Sequence, residues 1–229
     1  MTSRFQRRFQ RVALMALAAA AVVGSLSACV PLVVGGAVVG TLVVIDRRTS
    51  GTQLEDEGIE FRASNRIKEV IGDKGHVNVT SYNRQVLLTG EVPTAKDREL
   101  VEKAVAGVDN VRSVVNELAV MPNSTLTQRS NDTLITGKVK ASFVDAKDIS
   151  LNAFKIVTER NTVFLMGRVT PREVARATEI ARGVGGVEKV VRVFEIISED
   201  ELARYQAKPA PVTKPVAPAP APAAPSAAR

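Results

Sequence analysis

Very few side chains in this sequence belong to the types that do covalent or metal chemistry. The 229 residues include one histidine, one cysteine and no tryptophan. His76 begins a predicted strand and has no candidate metal ligand near it in the sequence. Cys29 has no second cysteine with which to form an intramolecular disulfide. These counts exclude most metal-dependent and nucleophilic mechanisms, and we predict neither a metal site nor a cofactor.

The carboxylates are more numerous, but their positions do not favour acid–base catalysis. Glu55, Asp56 and Glu57 are expected to precede the first helix, where acids suit the positive end of the helix dipole. Asp145 and Asp148 are expected in a turn between a helix and a strand. Paired carboxylates catalyse only in a cleft that shifts their pKa values, and a solvated position is favoured for both groups. We therefore predict no catalytic residues and no enzymatic activity.

The amino terminus has the pattern of an exported, lipidated protein. Arg4–Arg11 form a basic segment, and Val12–Gly24 form an apolar one that is shorter than the roughly 20 residues of a spanning helix. This pattern predicts a signal peptide over residues 1–28. Leu26–Cys29 (LSAC) resemble a bacterial lipobox, which implies cleavage before Cys29 and its acylation by palmitate-type chains. The alternative is an ordinary signal peptide followed by a chance cysteine.

The segment after Cys29 is apolar as well. Val30–Ile45 would reach only about 24 Å as a helix, which is short of a hydrocarbon core of about 30 Å. We predict a lipidated tether and linker over residues 29–55, with a degenerate spanning segment as the alternative. Val30 stands where an aspartate would usually retain a lipoprotein at the inner membrane. The sorting rule therefore implies an outer-membrane protein that faces the periplasm.

The net charge of +7 does not predict nucleic-acid binding. Four arginines before residue 29 and three basic residues after residue 206 account for the whole excess. A nucleic-acid-binding protein usually concentrates its basic charge on the folded domain. The body between these segments is neutral, so nucleic acid is not an expected partner.

The body of the chain is an internal repeat. VLLTGEV (86–92) and VFLMGRV (163–169) are near copies, and similar residues continue on both sides of each. The apolar periods predict helix, strand, strand, helix, strand in each copy. We place the first copy at residues 56–121, a linker at 122–129, the second copy at 130–198 and an Ala/Pro-rich disordered tail at 199–229. Gly90 and Gly167 are expected to allow a helix to approach the sheet closely.

This doubled pattern resembles a pair of BON domains behind a lipobox. The stretches that carry the resemblance are DRRTSGTQLED (46–56), VNVTSYNRQVLLTGEV (77–92), SNDTLITGKVKASF (130–143) and VFLMGRVTPREVARA (163–177). The resemblance is to the dual BON-domain outer-membrane lipoproteins. It implies an α/β (α+β) fold of two tandem domains, each with a three-stranded mixed sheet packed on two helices. It also implies a non-enzymatic protein that binds anionic phospholipid, such as phosphatidylglycerol, through its second domain.

The two copies differ in charge and in their first helix. Residues 46–121 carry 11 basic and 13 acidic groups, a net −2, and residues 122–197 carry 12 and 8, a net +4. In the second copy Asp132 is a plausible N-cap, and Leu134, Gly137, Lys138 and Ala141 share one helix face. Such a face suits shallow insertion among lipid headgroups.

Two alternatives to lipid remain open for this helix. The same face could pack against the first BON domain, where small residues also serve. It could also bind a periplasmic protein, which would make the chain an adaptor for envelope-assembly machinery.

Overall fold

The structure is a computed structural model that describes residues 46–206, in which the same order of helices and strands occurs twice. The first repeat consists of α1 (Ser50–Ile71), β1 (His76–Tyr82), β2 (Gln85–Val92), α2 (Ala95–Ala106), β3 (Ser113–Asn116) and β4 (Ala119–Val120). The second consists of α3 (Leu126–Asp145), a 3-10 turn (Leu151–Ala153), β5 (Phe154–Glu159), β6 (Thr162–Val169), α4 (Pro171–Gly183) and β7 (Lys189–Ile196), and α5 (Glu199–Gln206) follows. Cys29, the predicted signal peptide and tether, and the Pro-rich segment after residue 206 lie outside the described residues.

Each repeat forms a mixed sheet, as predicted. β2 pairs antiparallel with β1 and parallel with β3 and β4. β6 pairs antiparallel with β5 and parallel with β7. The third strand of the first repeat is interrupted between β3 and β4, whereas β7 runs unbroken through the equivalent position.

Alternate residues of the central strands face the helices of their own repeat. Val86, Leu88 and Val92 of β2 pack in a core with the inner residues of α1 and α2. Val163 and Leu165 of β6 pack in a second core with α3 and α4. Each repeat therefore has a complete helix-on-sheet core of its own.

The other faces of the two sheets pack against each other. Tyr82 and Leu87 from the first repeat form a third core with Phe164, Met166 and Val193 from the second. The sheets are thus back to back, and the helices of each repeat pack on the other face of their own sheet. All three cores lie within residues 46–206, so a chain that begins at Asp46 retains them.

The glycines of the repeated strand have a different role from the predicted one. A β-carbon on Gly90, whose φ is +108°, would collide with the carbonyl oxygen of His76 on β1. A β-carbon on Gly167 would collide in the same way with the carbonyl oxygen of Ala153, just before β5. The prediction of a close helix approach is wrong, because the crowding comes from the paired strand within the sheet.

The first helix of each repeat begins earlier than predicted. α1 begins at Ser50 and not near residue 56, so Glu55, Asp56 and Glu57 lie inside the helix. α3 begins at Leu126, inside the predicted linker, after the N-cap Thr125. The side chains of Thr125 and Gln128 form a reciprocal capping box there, which satisfies backbone donors that a helix start leaves free. The predicted disordered tail also begins too early, because residues 199–206 form α5.

Two aspartates that were expected near helix starts instead fix the β-hairpins. Asp132 is buried within α3, and its carboxylate accepts from the backbone N–H groups of Arg160 and Asn161, both at 2.9 Å. Asp56 on α1 accepts from the N–H groups of Asn83 and Arg84 at 2.8 and 2.7 Å. All four turn residues have positive φ, a conformation that costs energy for residues other than glycine. Each aspartate therefore ties a helix to a strained turn.

Candidate functional site

The four residues predicted for lipid contact all lie on the exposed side of α3. Leu134 is 65% exposed, and Gly137, Lys138 and Ala141 are exposed with it. The helix is longer than predicted, so the same side also carries Leu126 and Val144, which are 80% and 65% exposed. We call these six residues the α3 stripe. Its two outer members could have been found from their helical spacing if the capping box at Thr125 had been recognised.

The core fixes the direction in which the stripe points. Ile135, Val139 and Phe143 are at most 1% exposed and anchor the inner side of α3 on the second sheet. At 3.6 residues per turn, the stripe lies on the opposite side of the helix. The edge-to-face contact of Phe143 with Phe154, with ring centroids 5.2 Å apart, further holds α3 on β5.

The stripe is shallow at its centre and raised at its ends. A β-carbon placed on Gly137 would meet no atom within 4 Å, so a notch open to solvent lies there. Ala141, one turn further on, adds little height. Leu134 and Val144 therefore project beside a depression in the helix surface.

Basic side chains border the stripe. At 3.6 residues per turn, Lys138 and Lys140 lie on opposite edges of it. Both are exposed, and neither forms an ion pair with another residue of the described part. Asp145 is the exposed acid at the carboxyl end of the helix. The border is thus positively charged along most of its length.

The alternative in which this face packs against the first BON domain is wrong. The repeats meet through their sheets, in the core that contains Leu87 and Phe164. The stripe lies on the outer side of α3, away from that contact. The first repeat, as far as residues 46–206 describe it, therefore does not cover its apolar residues.

The first repeat has an exposed apolar pair that the sequence analysis missed. Leu54 and Phe61 on α1 are 71% and 70% exposed. They lie opposite the buried Ile59 and Ala63, one on either side of Gly58. Their spacing of seven residues, two helical turns, was the available signal.

His76 has a partner in the second repeat that its sequence neighbours could not reveal. Its Nε2 lies 3.6 Å from Oε1 of Glu159, whose Oε2 accepts from the Asn78 amide at 3.1 Å. These groups line an open cavity of about 370 Å³ together with Arg129 and Asp132. Among residues 46–206, no cluster of three or more His, Cys, Asp or Glu side chains could hold a metal ion.

Burial shifts the pKa values of this pair in opposite directions. Burial raises the pKa of Glu159 to about 6, although the hydrogen bond from Asn78 stabilises the carboxylate and acts to lower this pKa. Burial, followed by the charge of Arg129, lowers the pKa of His76. Both shifts disfavour the charged forms, so at neutral pH a largely ionised Glu159 faces a neutral imidazole and the two groups do not form a charged pair.

The BON domain family model matches the chain twice, over residues 56–122 and 131–198. The chain is 38% identical over 175 residues to the outer membrane lipoprotein DolP of Haemophilus influenzae, a match that covers 75% of this chain and 90% of that protein. It is 34% identical over 155 residues to the 21 kDa hemolysin of Actinobacillus pleuropneumoniae, covering 67% of this chain and 80% of the hemolysin.

Solved structures add little to these relationships. The C-terminal domain of CdsD, a structural protein of the type III secretion system of Chlamydia trachomatis, is 11% identical and matches with a TM-score of 0.27. The match covers 58% of this chain and 96% of that domain. A similarity this low carries no argument about either fold or function.

Proposed function

The chain belongs to the BON-domain family and is an outer-membrane lipoprotein of the DolP type, and on that premise we propose that its α3 stripe docks on anionic phospholipid. In this proposal Cys29 carries the acyl anchor, the folded repeats face the periplasm, and the protein supports envelope integrity without catalysis. No helix within residues 46–206 is long and apolar enough to cross a membrane.

One observation carries the proposal. Leu134 projects from the outer side of α3 at 65% exposure, with Lys138 and Lys140 on either edge of the same surface. An exposed apolar side chain bordered by lysines is the arrangement by which amphipathic helices enter the headgroup layer. The leucine would contact acyl chains, and the lysine ammonium groups would contact lipid phosphates.

The charge favours anionic over neutral lipid. Each lysine near an anionic membrane contributes about 1 kcal/mol, and the contribution is screened within a Debye length. Lys138 and Lys140 together would therefore contribute about 2 kcal/mol at physiological salt. The first repeat, with its net −2, offers no comparable attraction.

A weak contact is sufficient because the anchor already holds the protein at the membrane. A protein with two or more acyl chains stays membrane-bound, and tethering raises the effective concentration of a second site to about the millimolar range. The stripe would then orient the folded body and favour regions rich in anionic lipid.

Vesicle flotation of residues 46–229, which lack the anchor, tests the proposal. We expect flotation with phosphatidylglycerol vesicles but not with phosphatidylcholine vesicles, and loss of flotation in Leu134→Asp. Leu54→Asp is the matched control, because Leu54 is equally exposed on the first repeat, and it should float as the unmodified chain does. Equal losses in both variants would contradict a specific role for α3.

The adaptor function is the second candidate, and the notch at Gly137 is the observation that favours it. Small residues on a helix allow another helix to approach closely. Absence of flotation with both kinds of vesicle would reject the lipid proposal and favour this one.

A further inference from the structure

The outer surfaces of α1 and α3 have inverse patterns of large and small residues. On α1 the order along the exposed side is Leu54, Gly58, Phe61 and Asn65. At the equivalent positions α3 has Ser130, Leu134, Gly137 and Ala141. Each large apolar residue of one helix thus corresponds to a small residue of the other.

This inversion allows the two surfaces to fit together. Leu54 and Phe61 lie seven residues apart, about 10.5 Å along the helix axis. The gap between them can receive Leu134, and the Phe61 ring can enter the open notch at Gly137. The Arg62 guanidinium lies over Gly58, 3.0 Å from where a β-carbon would stand, so this flexible side chain must move aside for Leu134 to enter the gap.

The net charges of the two repeats are also complementary, although the exposed Lys68 lies on the same side of α1 as Glu57. Glu57 lies next to Leu54 and Phe61, is exposed, and forms no ion pair with another residue of the described part. Lys138 and Lys140 border the α3 stripe with the opposite sign. The two repeats as wholes carry −2 and +4. Charge therefore favours contact between a first and a second repeat over contact between like repeats.

The two surfaces do not cover each other within one molecule, because Leu54, Phe61 and Leu134 are each at least 65% exposed. The sheets pack back to back through Leu87 and Phe164, and α1 and α3 each cover the other face of their own sheet. We propose that α1 of one molecule docks on α3 of a second copy, with Phe61 in the notch at Gly137. The contact is head-to-tail, so it leaves one free surface at each end and extends into rows.

The rows would form at a membrane more readily than in solution. A contact between two single helix faces buries less than the roughly 1,200 Å² of a stable interface, so it is weak between free molecules. Anchoring in one membrane raises the local concentration of the copies. The inference does not require the proposed lipid docking. Because both contacts use α3, a molecule whose α3 is docked on lipid cannot at the same time bind α1 of the next molecule.

Sedimentation velocity of residues 46–229 at rising concentration tests the inference. We expect reversible association of the unmodified chain and monomers for Phe61→Glu and for Gly137→Leu. Gly137→Leu fills the notch but enlarges the apolar stripe, so it should still float with phosphatidylglycerol vesicles. Loss of association with retention of flotation in this variant separates the two uses of α3.

Mixing two defective variants tests the head-to-tail geometry. Phe61→Glu has an intact α3, and Leu134→Asp has an intact α1. Each should be monomeric alone, and an equimolar mixture should form dimers but no larger species. Val70→Glu is the control, because it places the same new charge on another side of α1 and should associate normally.

Three results would overturn the inference. The first is that the unmodified chain stays monomeric up to about millimolar concentration. The second is that Phe61→Glu associates as strongly as the unmodified chain, and the third is that the mixture of Phe61→Glu and Leu134→Asp stays monomeric. Circular dichroism of each variant confirms that its fold is retained.

Discussion

Burial between the repeats shifts the pKa of a single carboxylate, that of Glu159. It lies 9% exposed at the end of β5, where it faces His76 and Asn78 from β1 and Arg129 and Asp132 from α3. Burial raises its pKa from 4.5 to about 6, and the charges of Glu91 and Asp132 add to the effect. Because the folded state holds this proton more tightly than the unfolded state, Glu159 lowers stability as pH rises from about 4.5 to above 6.

Glu159→Gln should therefore stabilise the protein more at neutral than at acidic pH. The rise in the pKa of Glu159 from 4.5 to about 6 corresponds to at most about 2 kcal/mol in the free energy of unfolding. We expect the free energy of unfolding of the variant, relative to that of the unmodified chain, to rise by up to this amount between pH 4 and pH 7.5. Urea titrations at several pH values measure it, and His76 is present in both proteins.

Glu195→Gln is the matched control, with the opposite sign. Burial alone would raise the pKa of Glu195, but hydrogen bonds from Asn83 and Arg112 outweigh it and lower that pKa. Glu195 therefore contributes stability above the unfolded pKa, and this stability is lost as pH falls. Relative to the unmodified chain, Glu195→Gln should become less stable as pH rises. Parallel trends in the two variants would contradict the assignment.

The sequence was sufficient to identify four of the six stripe residues but not the roles of the buried aspartates. Leu134, Gly137, Lys138 and Ala141 follow helical periodicity, which is a local property. The role of Asp132 depends on amides 28 and 29 residues away, which no local pattern encodes. An aspartate near an expected helix start is normally interpreted as an N-cap, so the position of Asp132 inside the helix could not be recognised.

At the scale of elements, residues 46–49 form an arm that binds both repeats before α1 begins. The Arg47 guanidinium donates to both carboxylate oxygens of Glu173, at 2.8 and 2.6 Å, and to the carbonyl oxygen of Arg168 at 2.6 Å. Arg48 pairs with Asp56 of α1 at 2.8 Å and lies over the Tyr82 ring. Glu173 also closes the capping box of α4, so the arm and the start of α4 share one carboxylate.

Arg47→Met should destabilise the protein by about 3–5 kcal/mol, because it leaves the buried Glu173 carboxylate without its charged partner. Burial alone would raise the pKa of Glu173, and Arg47 reverses this to a lowered value. The double variant Arg47→Met/Glu173→Gln should recover part of the loss. Urea denaturation measures both.

Arg66→Met is the control for the arm. Its ion pair with Glu69 is exposed, with side chains 60% and 62% accessible, and exposed pairs contribute about 0–1 kcal/mol. A loss in Arg47→Met no larger than that in Arg66→Met would show that the arm does not stabilise the fold.

At the scale of the whole molecule, the back-to-back sheets make the two repeats one cooperative body. Besides the core around Leu87, the buried Glu91 of the first repeat forms an ion pair with Arg160 of the second. Lys155 of β5 pairs with Glu60 of α1 at 2.7 Å. A clue to this packing was present in VFLMGRV, since a strand that is apolar at consecutive positions is buried on both faces.

Leu87→Asp should separate the unfolding of the two repeats, because it places a carboxylate in the core between the sheets. We expect one cooperative transition for the unmodified chain and a loss of several kcal/mol in the variant. Hydrogen-exchange mass spectrometry should show the first repeat exchanging before the second. Leu126→Asp, the same change at a leucine that is 80% exposed, should leave stability unchanged within about 0.5 kcal/mol.

The element order was predictable from the repeat, but the arrangement of the repeats was not. Periodicity within VLLTGEV and its copy reports which residues are apolar, not which distant surface covers them. The crowding at Gly90 could not be assigned for the same reason, because the carbonyl that causes it belongs to His76 on the neighbouring strand.

The arm also determines how the molecule would bear mechanical load. A pull along the chain from the amino-terminal side enters the described body at Asp46 and meets the ion pairs of Arg47 and Arg48 next. Because these bind to α4 and α1, tension divides between the two repeats before it reaches α1 through the backbone. The two short ion pairs of the arm would have to break before the first helix unfolds from its amino-terminal end. The arm is therefore the part of the folded body that would yield first to a pull from the membrane attachment.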